Sequence, residues 1–136
     1  MLAFTAFVAL GAAAQKMNVS AVPPVVKHAF EKAYPGVTAT WEEEAPNYEV
    51  NFKKDGSDIS VLIDKEGKII ETETDIKAGE LPAAVLSYIK AHYKGKAIKE
   101  TSKITRADGT VNYEAEVNGK DVIFDASGKF LKEAKD

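Results

Sequence analysis

The side chains in this chain best suited to chemistry are carboxylates spaced along extended segments. Glu49 lies within Asn47-Tyr48-Glu49-Val50-Asn51-Phe52, and Glu114 and Glu116 within Asn112-Tyr113-Glu114-Ala115-Glu116-Val117. Residues two apart on a strand point to the same side of a sheet. Two carboxyls so placed suit general acid–base hydrolysis, in which one donates and the other accepts a proton. That chemistry requires pKa values separated by burial or close neighbours. A sheet face open to water supplies neither, so no catalytic residue is assigned.

Other chemistries find less support. His28 and His92 fall inside helical segments and lack the partners of a His-Glu-x-x-His pair. They read as solvated helix residues. Asp64-Lys65-Glu66-Gly67 and Asp125-Ala126-Ser127-Gly128 carry an Asp and a Gly but not the alternating oxygen ligands of a calcium loop. An Asp that bonds its own backbone and a Gly free to take positive φ describe a turn instead. The chain has no Cys, which removes disulfides, thiol nucleophiles and Cys-based zinc sites. It has no Gly-x-Ser-x-Gly elbow and no glycine-rich phosphate loop. The expectation is a non-enzyme with no metal and no cofactor. A net charge of −3 without a basic patch speaks against nucleic acid as a partner.

The elements that position these residues come from an internal repeat. Val22, Pro23, Val26, Phe30, Tyr34 and Gly36 recur at identical spacing as Leu81, Pro82, Val85, Ile89, Tyr93 and Gly95. Pro in a first turn, apolar residues every four positions and a terminal Gly describe a helix. Asn47-Tyr48-Glu49 recurs as Asn112-Tyr113-Glu114, and Asp64, Gly67 and Lys68 recur as Asp125, Gly128 and Lys129. These later blocks alternate as strands. Tyr48, Val50, Phe52, Ile59, Val61 and Ile63 face inward, as do Tyr113, Ala115, Val117, Val122 and Phe124. Trp41 follows Val37 and Ala39 on the inward side, beside the acidic run Glu42-Glu43-Glu44. The turn at Lys54-Asp55-Gly56-Ser57 looks longer than the one at Asn118-Gly119.

Each copy thus predicts one helix followed by about four antiparallel strands, in an α+β fold. The halves are a first module over 15–75 and a second over 76–136. Side by side they would place both helices on one face of a combined sheet and leave the other face to solvent, which antiparallel sheets tolerate. Glu49, Asn51, Leu62, Glu114, Glu116 and Ile123 should project from that open face. Apolar Leu62 and Ile123 among acidic neighbours make it a candidate surface for binding a protein partner.

The order of motifs resembles the PepSY-like family of β-lactamase-inhibitor-like periplasmic proteins. The resemblance rests on Trp41, the Asn47-to-Phe52 strand, Asp64-x-x-Gly67-Lys68, Leu81-Pro82, Tyr113-Glu114-x-x-Val117-Asn118-Gly119 and Phe124-Asp125-x-x-Gly128-Lys129. It implies an envelope protein linked to protease inhibition or regulation, and the β-lactamase-inhibitor comparison implies binding through the concave open face of its sheet. The family's classical inhibitor is disulfide-bonded, and this chain departs from it by lacking Cys.

Compartment is read from the first residues. Leu2 to Ala14 is apolar, and Ala12-Ala13-Ala14 offers a cleavage site before Gln15. The run is shorter than the about 20 residues that span a bilayer. No Lys or Arg precedes it, which suggests that the start lies a few residues upstream of Met1. Residues 1–14 are therefore expected to be a signal peptide cleaved near Ala14. The mature protein would be periplasmic, without a membrane anchor, and would bind an unknown protein partner in the cell envelope. The alternative is an envelope sensor of a small molecule, peptide or metal ion.

Overall fold

The computed structural model describes residues 15–135, so the expected signal peptide lies outside the described residues. The chain forms two compact units that divide between Thr72 and Glu73. The first holds β1 (Gln15–Met17), α1 (Pro24–Ala33), β2 (Ala39–Glu44), β3 (Asn47–Lys54), β4 (Ser57–Ile63) and the start of β5 (Ile69–Asp75). The second holds the end of β5, α2 (Ala83–His92), β6 (Ile98–Arg106), β7 (Val111–Val117), β8 (Lys120–Asp125) and β9 (Phe130–Lys135). Within each unit the strands pair in chain order, and the ladders of β1 to β4 and of β6 to β9 are antiparallel.

The helices start and stop as their sequences dictate. Pro23 and Pro82 occupy the N-cap positions, where the missing N–H costs nothing. Val22 and Leu81 just before them are buried and staple the entry. Val26 and Phe30 bury the inner stripe of α1, and Val85 and Ile89 that of α2. Tyr34 and Tyr93 close the helices, donating their N–H groups to the carbonyls of Phe30 and Ile89 at 2.8 Å.

Both central hairpins use two-residue turns, which corrects the longer loop expected in the first copy. Asp55 and Gly56 have φ of 52° and 81°, and Asn118 and Gly119 have 55° and 73°. Positive φ at both central positions matches the twist of the flanking strands. The extra residues of the first copy are instead two further cross-strand pairs, Lys53 with Asp58 and Lys54 with Ser57. The first pair is also an ion pair at 3.3 Å.

A second departure is β1. Its three residues pair with β2, placing Met17 opposite Trp41, and Met17 packs on the first core. Nothing in the repeat predicts this strand.

Each helix covers the inward face of its own strands. In the first unit Phe30 meets Trp41 edge-on at 5.5 Å and Phe52 at 5.3 Å. In the second unit the rings sit elsewhere. Tyr88 stacks on Phe130 at 4.9 Å and on His92 at 3.9 Å, and meets Phe124 edge-on at 5.4 Å.

The turn before the last strand of each unit is pinned by Asp. Asp64 Oδ1 accepts the N–H groups of Glu66 and Lys68, and Asp125 Oδ1 those of Ser127 and Lys129, all at 2.9 Å. The turn glycine then seats against the helix. A Cβ on Gly67 would lie 3.1 Å from the Val25 carbonyl oxygen, and one on Gly128 only 2.8 Å from the Ala84 Cβ.

Candidate functional site

Strand alternation turns one set of side chains away from each helix. In the first unit the register aligns Lys16, Glu42, Glu49 and Leu62 in one cross-strand row, with Glu44 opposite Asn47 and Asn51 opposite Ser60 in the neighbouring rows. In the second unit Ser102, Glu114, Ile123 and Lys132 form the corresponding row, flanked by Glu116 opposite Asp121 and by Ile104 opposite Asn112. In each unit the side chains expected on a helix-free face lie on the side turned away from that unit's own core: Glu49, Asn51 and Leu62 in the first, Glu114, Glu116 and Ile123 in the second.

Their exposure is not what was expected. Glu49 is 2% exposed, Glu114 7%, Glu116 8% and Ile123 5%. Asn51 and Leu62 are half-buried. In neither unit is this a freely solvated layer, and several of its polar groups bond to neighbours. Ser60 donates its hydroxyl to Asn51. Lys99 lies 3.6 Å from Glu116, and Arg106 donates to Asn112. Ser102 donates to Glu73 at 3.1 Å, burying a further carboxylate at the start of the second unit.

Glu44, the last residue of the acidic run beside Trp41, is not among the six side chains expected at the site. It is 6% exposed. The repeat explains why. Glu44 lies opposite Asn47 as Ile104 lies opposite Asn112, so a carboxyl occupies a position that the second unit fills with a buried isoleucine. Comparing the two copies position by position would have exposed the anomaly.

Burial gives Glu44 and Glu49 unusual electrostatics. Their side chains are hydrogen-bonded to each other, and Glu44 Oε2 has no hydrogen-bond partner among the described residues. Loss of water is the largest cause pushing the Glu49 carboxyl up to about 9. The hydrogen bond that the protonated Glu49 donates to Glu44 and the charges of Glu42 and Glu44 add to it, and Asn51 opposes it. Glu44 is raised as well, again chiefly by burial. The pair therefore keeps a proton at neutral pH, since like charges this close do not both ionise. That proton lets one carboxyl donate to the other.

The pair is a buried carboxyl dyad that holds a proton. Among the described residues no group of three or more His, Asp or Glu side chains is arranged to hold a metal ion. None of the described helices is long and apolar enough to cross a membrane.

With two copies of one helix-and-sheet unit and their Asp-x-x-Gly turns in place, the family follows. The chain matches the PepSY-like, β-lactamase-inhibitor-like family over residues 10–71 and again over 70–132. It belongs to that family. Solved structures agree on the fold of this PepSY-like chain. One from Bacteroides eggerthii, described as a "putative periplasmic" protein, has a TM-score of 0.78 at 20% identity, covering 84% of this chain and 88% of its own. One from Bacteroides uniformis, a DUF2874 family protein, has a TM-score of 0.75 at 21% identity and covers 83% and 88%. A BLIP-like protein from Bacteroides fragilis has a TM-score of 0.68 at 25% identity and covers 83% and 86%. No curated protein is significantly similar to the chain.

Proposed function

We propose that this PepSY-like chain is an exported binding protein of the inhibitor-like kind, which recognises a basic protein partner with the helix-free faces of its strands. One observation carries the reading. Glu44, Glu49, Glu114 and Glu116 are held at low exposure on those faces, although a solvated face would leave them in water at no cost. Burying carboxylates is unfavourable, and a fold retains such groups most readily where a partner uses them. With its shared proton the Glu44–Glu49 pair retains one negative charge, and groups already fixed in place have little entropy left to lose on binding. The half-buried Leu62 supplies an apolar contact among them.

The proposed compartment is the periplasm, after cleavage near Ala14. The apolar run ending in Ala12-Ala13-Ala14 supports this, as do relatives described as periplasmic. Mass spectrometry of the secreted chain should find Gln15 at its start, and a mature chain beginning at Met1 would refute cleavage.

The recognition proposal is tested by capture from a periplasmic extract with wild type and with the paired variant Glu42→Lys and Leu62→Arg. Both positions are only half-buried, so the variant should fold. The partner should be lost with the variant, and capture by wild type should weaken as salt screens the carboxylates. Equal recovery by both proteins would exclude this face.

A further inference from the structure

A groove of about 600 Å³ opens beside α1 in the first unit, on the helix side and away from the acidic face. Val25, Ala29, Ala33, Gly67 and Ile69 are among the residues that line it. The second unit shows what ordinarily fills this place. Aligned through Val26 and Val85, Ala29 and Ala33 correspond to Tyr88 and His92. Aligned through Gly67 and Gly128, Ile69 corresponds to Phe130. In the second unit Tyr88 is sandwiched there, stacked on Phe130 at 4.9 Å with an interplanar angle of 8° and on His92 at 3.9 Å. The first unit keeps the same helix and turn but has two alanines and an isoleucine in place of those rings. The groove is the slot of an aromatic side chain that this copy does not supply.

The charges around the slot are of both signs. Lys32 and His28 line it from α1, and Glu66 lines it from the turn between β4 and β5. All three are exposed. A ligand that inserts a flat ring therefore meets a cation on the helix side and a carboxylate on the turn side. A groove of this size is within the range of small-molecule sites.

We infer that the first unit binds a free aromatic amino acid in this groove. The ring takes the place that Tyr88 holds in the second unit. The α-carboxylate faces Lys32 and the α-ammonium faces Glu66. Ring insertion supplies the apolar burial, and the two exposed charges select the zwitterion and contribute modestly. This site is separate from the acidic face, and its occupation does not depend on a protein partner.

The test is titration of the isotope-labelled mature chain with L-phenylalanine, followed by backbone amide chemical shifts. Saturable shifts confined to Ala29, Lys32, Ala33 and Gly67 are expected. L-leucine should move them far less. Phenylalanine amide, which lacks the carboxylate, should bind about fivefold more weakly, the worth of roughly 1 kcal/mol of exposed ion pairing. Ala29→Tyr copies the second unit and should abolish the shifts. Ala33→His, also copied from the second unit, is the alternative blocking variant if Ala29→Tyr does not fold. No shift up to the solubility limit, equal response to leucine, or shifts that persist in a folded blocking variant would each overturn the inference.

Discussion

Replacing Glu49 by glutamine removes an ionisable group while keeping its shape and a hydrogen-bond donor toward Glu44. In the folded chain this carboxyl holds its proton up to about 9, against an ordinary value of 4.5. Between those limits the folded state binds a proton that the unfolded state has released. A raised carboxyl therefore contributes stability that is fully present below 4.5 and is lost as pH climbs through 9. Each pH unit above the ordinary value costs about 1.4 kcal/mol, so at pH 7 retention of the proton costs about 3 kcal/mol. Glu49 is 2% exposed, so solvent screening does not dilute the effect. The neutral amide introduced by Glu49→Gln carries no such penalty. Urea unfolding from pH 4 to pH 9 should show wild type losing stability with rising pH through this group. The variant should be about 3 kcal/mol more stable at pH 7, with no advantage at pH 4. Equal stability of the two proteins at pH 7, or the same pH slope in both, would refute the buried, protonated pair.

Three other substitutions test the packing. Gly128→Ala should destabilise by more than about 1 kcal/mol, because φ is 93° and the new Cβ would stand 2.8 Å from that of Ala84; thermal unfolding measures it. Phe124→Ala removes a fully buried ring that meets Tyr88 edge-on and should cost about 3–5 kcal/mol in urea unfolding. Glu44→Ile imports the residue that the second unit uses and should stabilise the fold at neutral pH by about 1–3 kcal/mol in urea unfolding, the cost of a buried polar atom that lacks a hydrogen-bond partner. If the acidic face serves recognition, the same variant should lose partner capture while gaining stability.

Much of the local structure was legible in the residues themselves. The helices were visible because Val26, Phe30 and Tyr34 repeat at helical spacing and because Pro23 and Gly36 punctuate them. The strands were visible because Tyr48, Val50 and Phe52 alternate with polar neighbours. What escaped depends on contacts distant in sequence. Strand β1 is three residues without a period, and it forms only because β2 offers it an edge. The low exposure of Glu114 and Glu116 depends on the side chains that neighbouring strands place beside them, which alternation does not report. The contact between Glu44 and Glu49 depends on the register of β2 against β3. A one-residue slip would send Glu44 to the other face.

The two copies serve as each other's control. Where they agree, the fold is speaking: both keep an Asp-x-x-Gly turn against the helix, a buried valine in the helix's first turn and a two-residue turn with positive φ. Where they differ, the fold does not require the residue found. A buried isoleucine suffices at position 104, so the carboxyl of Glu44 is not needed to build the sheet. A tyrosine fits at position 88, so the alanine at 29 is not forced by crowding. Both departures lie in the first unit, and each goes against stability, one by burying a charge and the other by leaving a slot open beside a helix. Residues that weaken a fold without being required by it are retained most readily where they do something else. The acid pair and the groove are such departures, which is why the proposed recognition face and the proposed ligand site fall in the first unit.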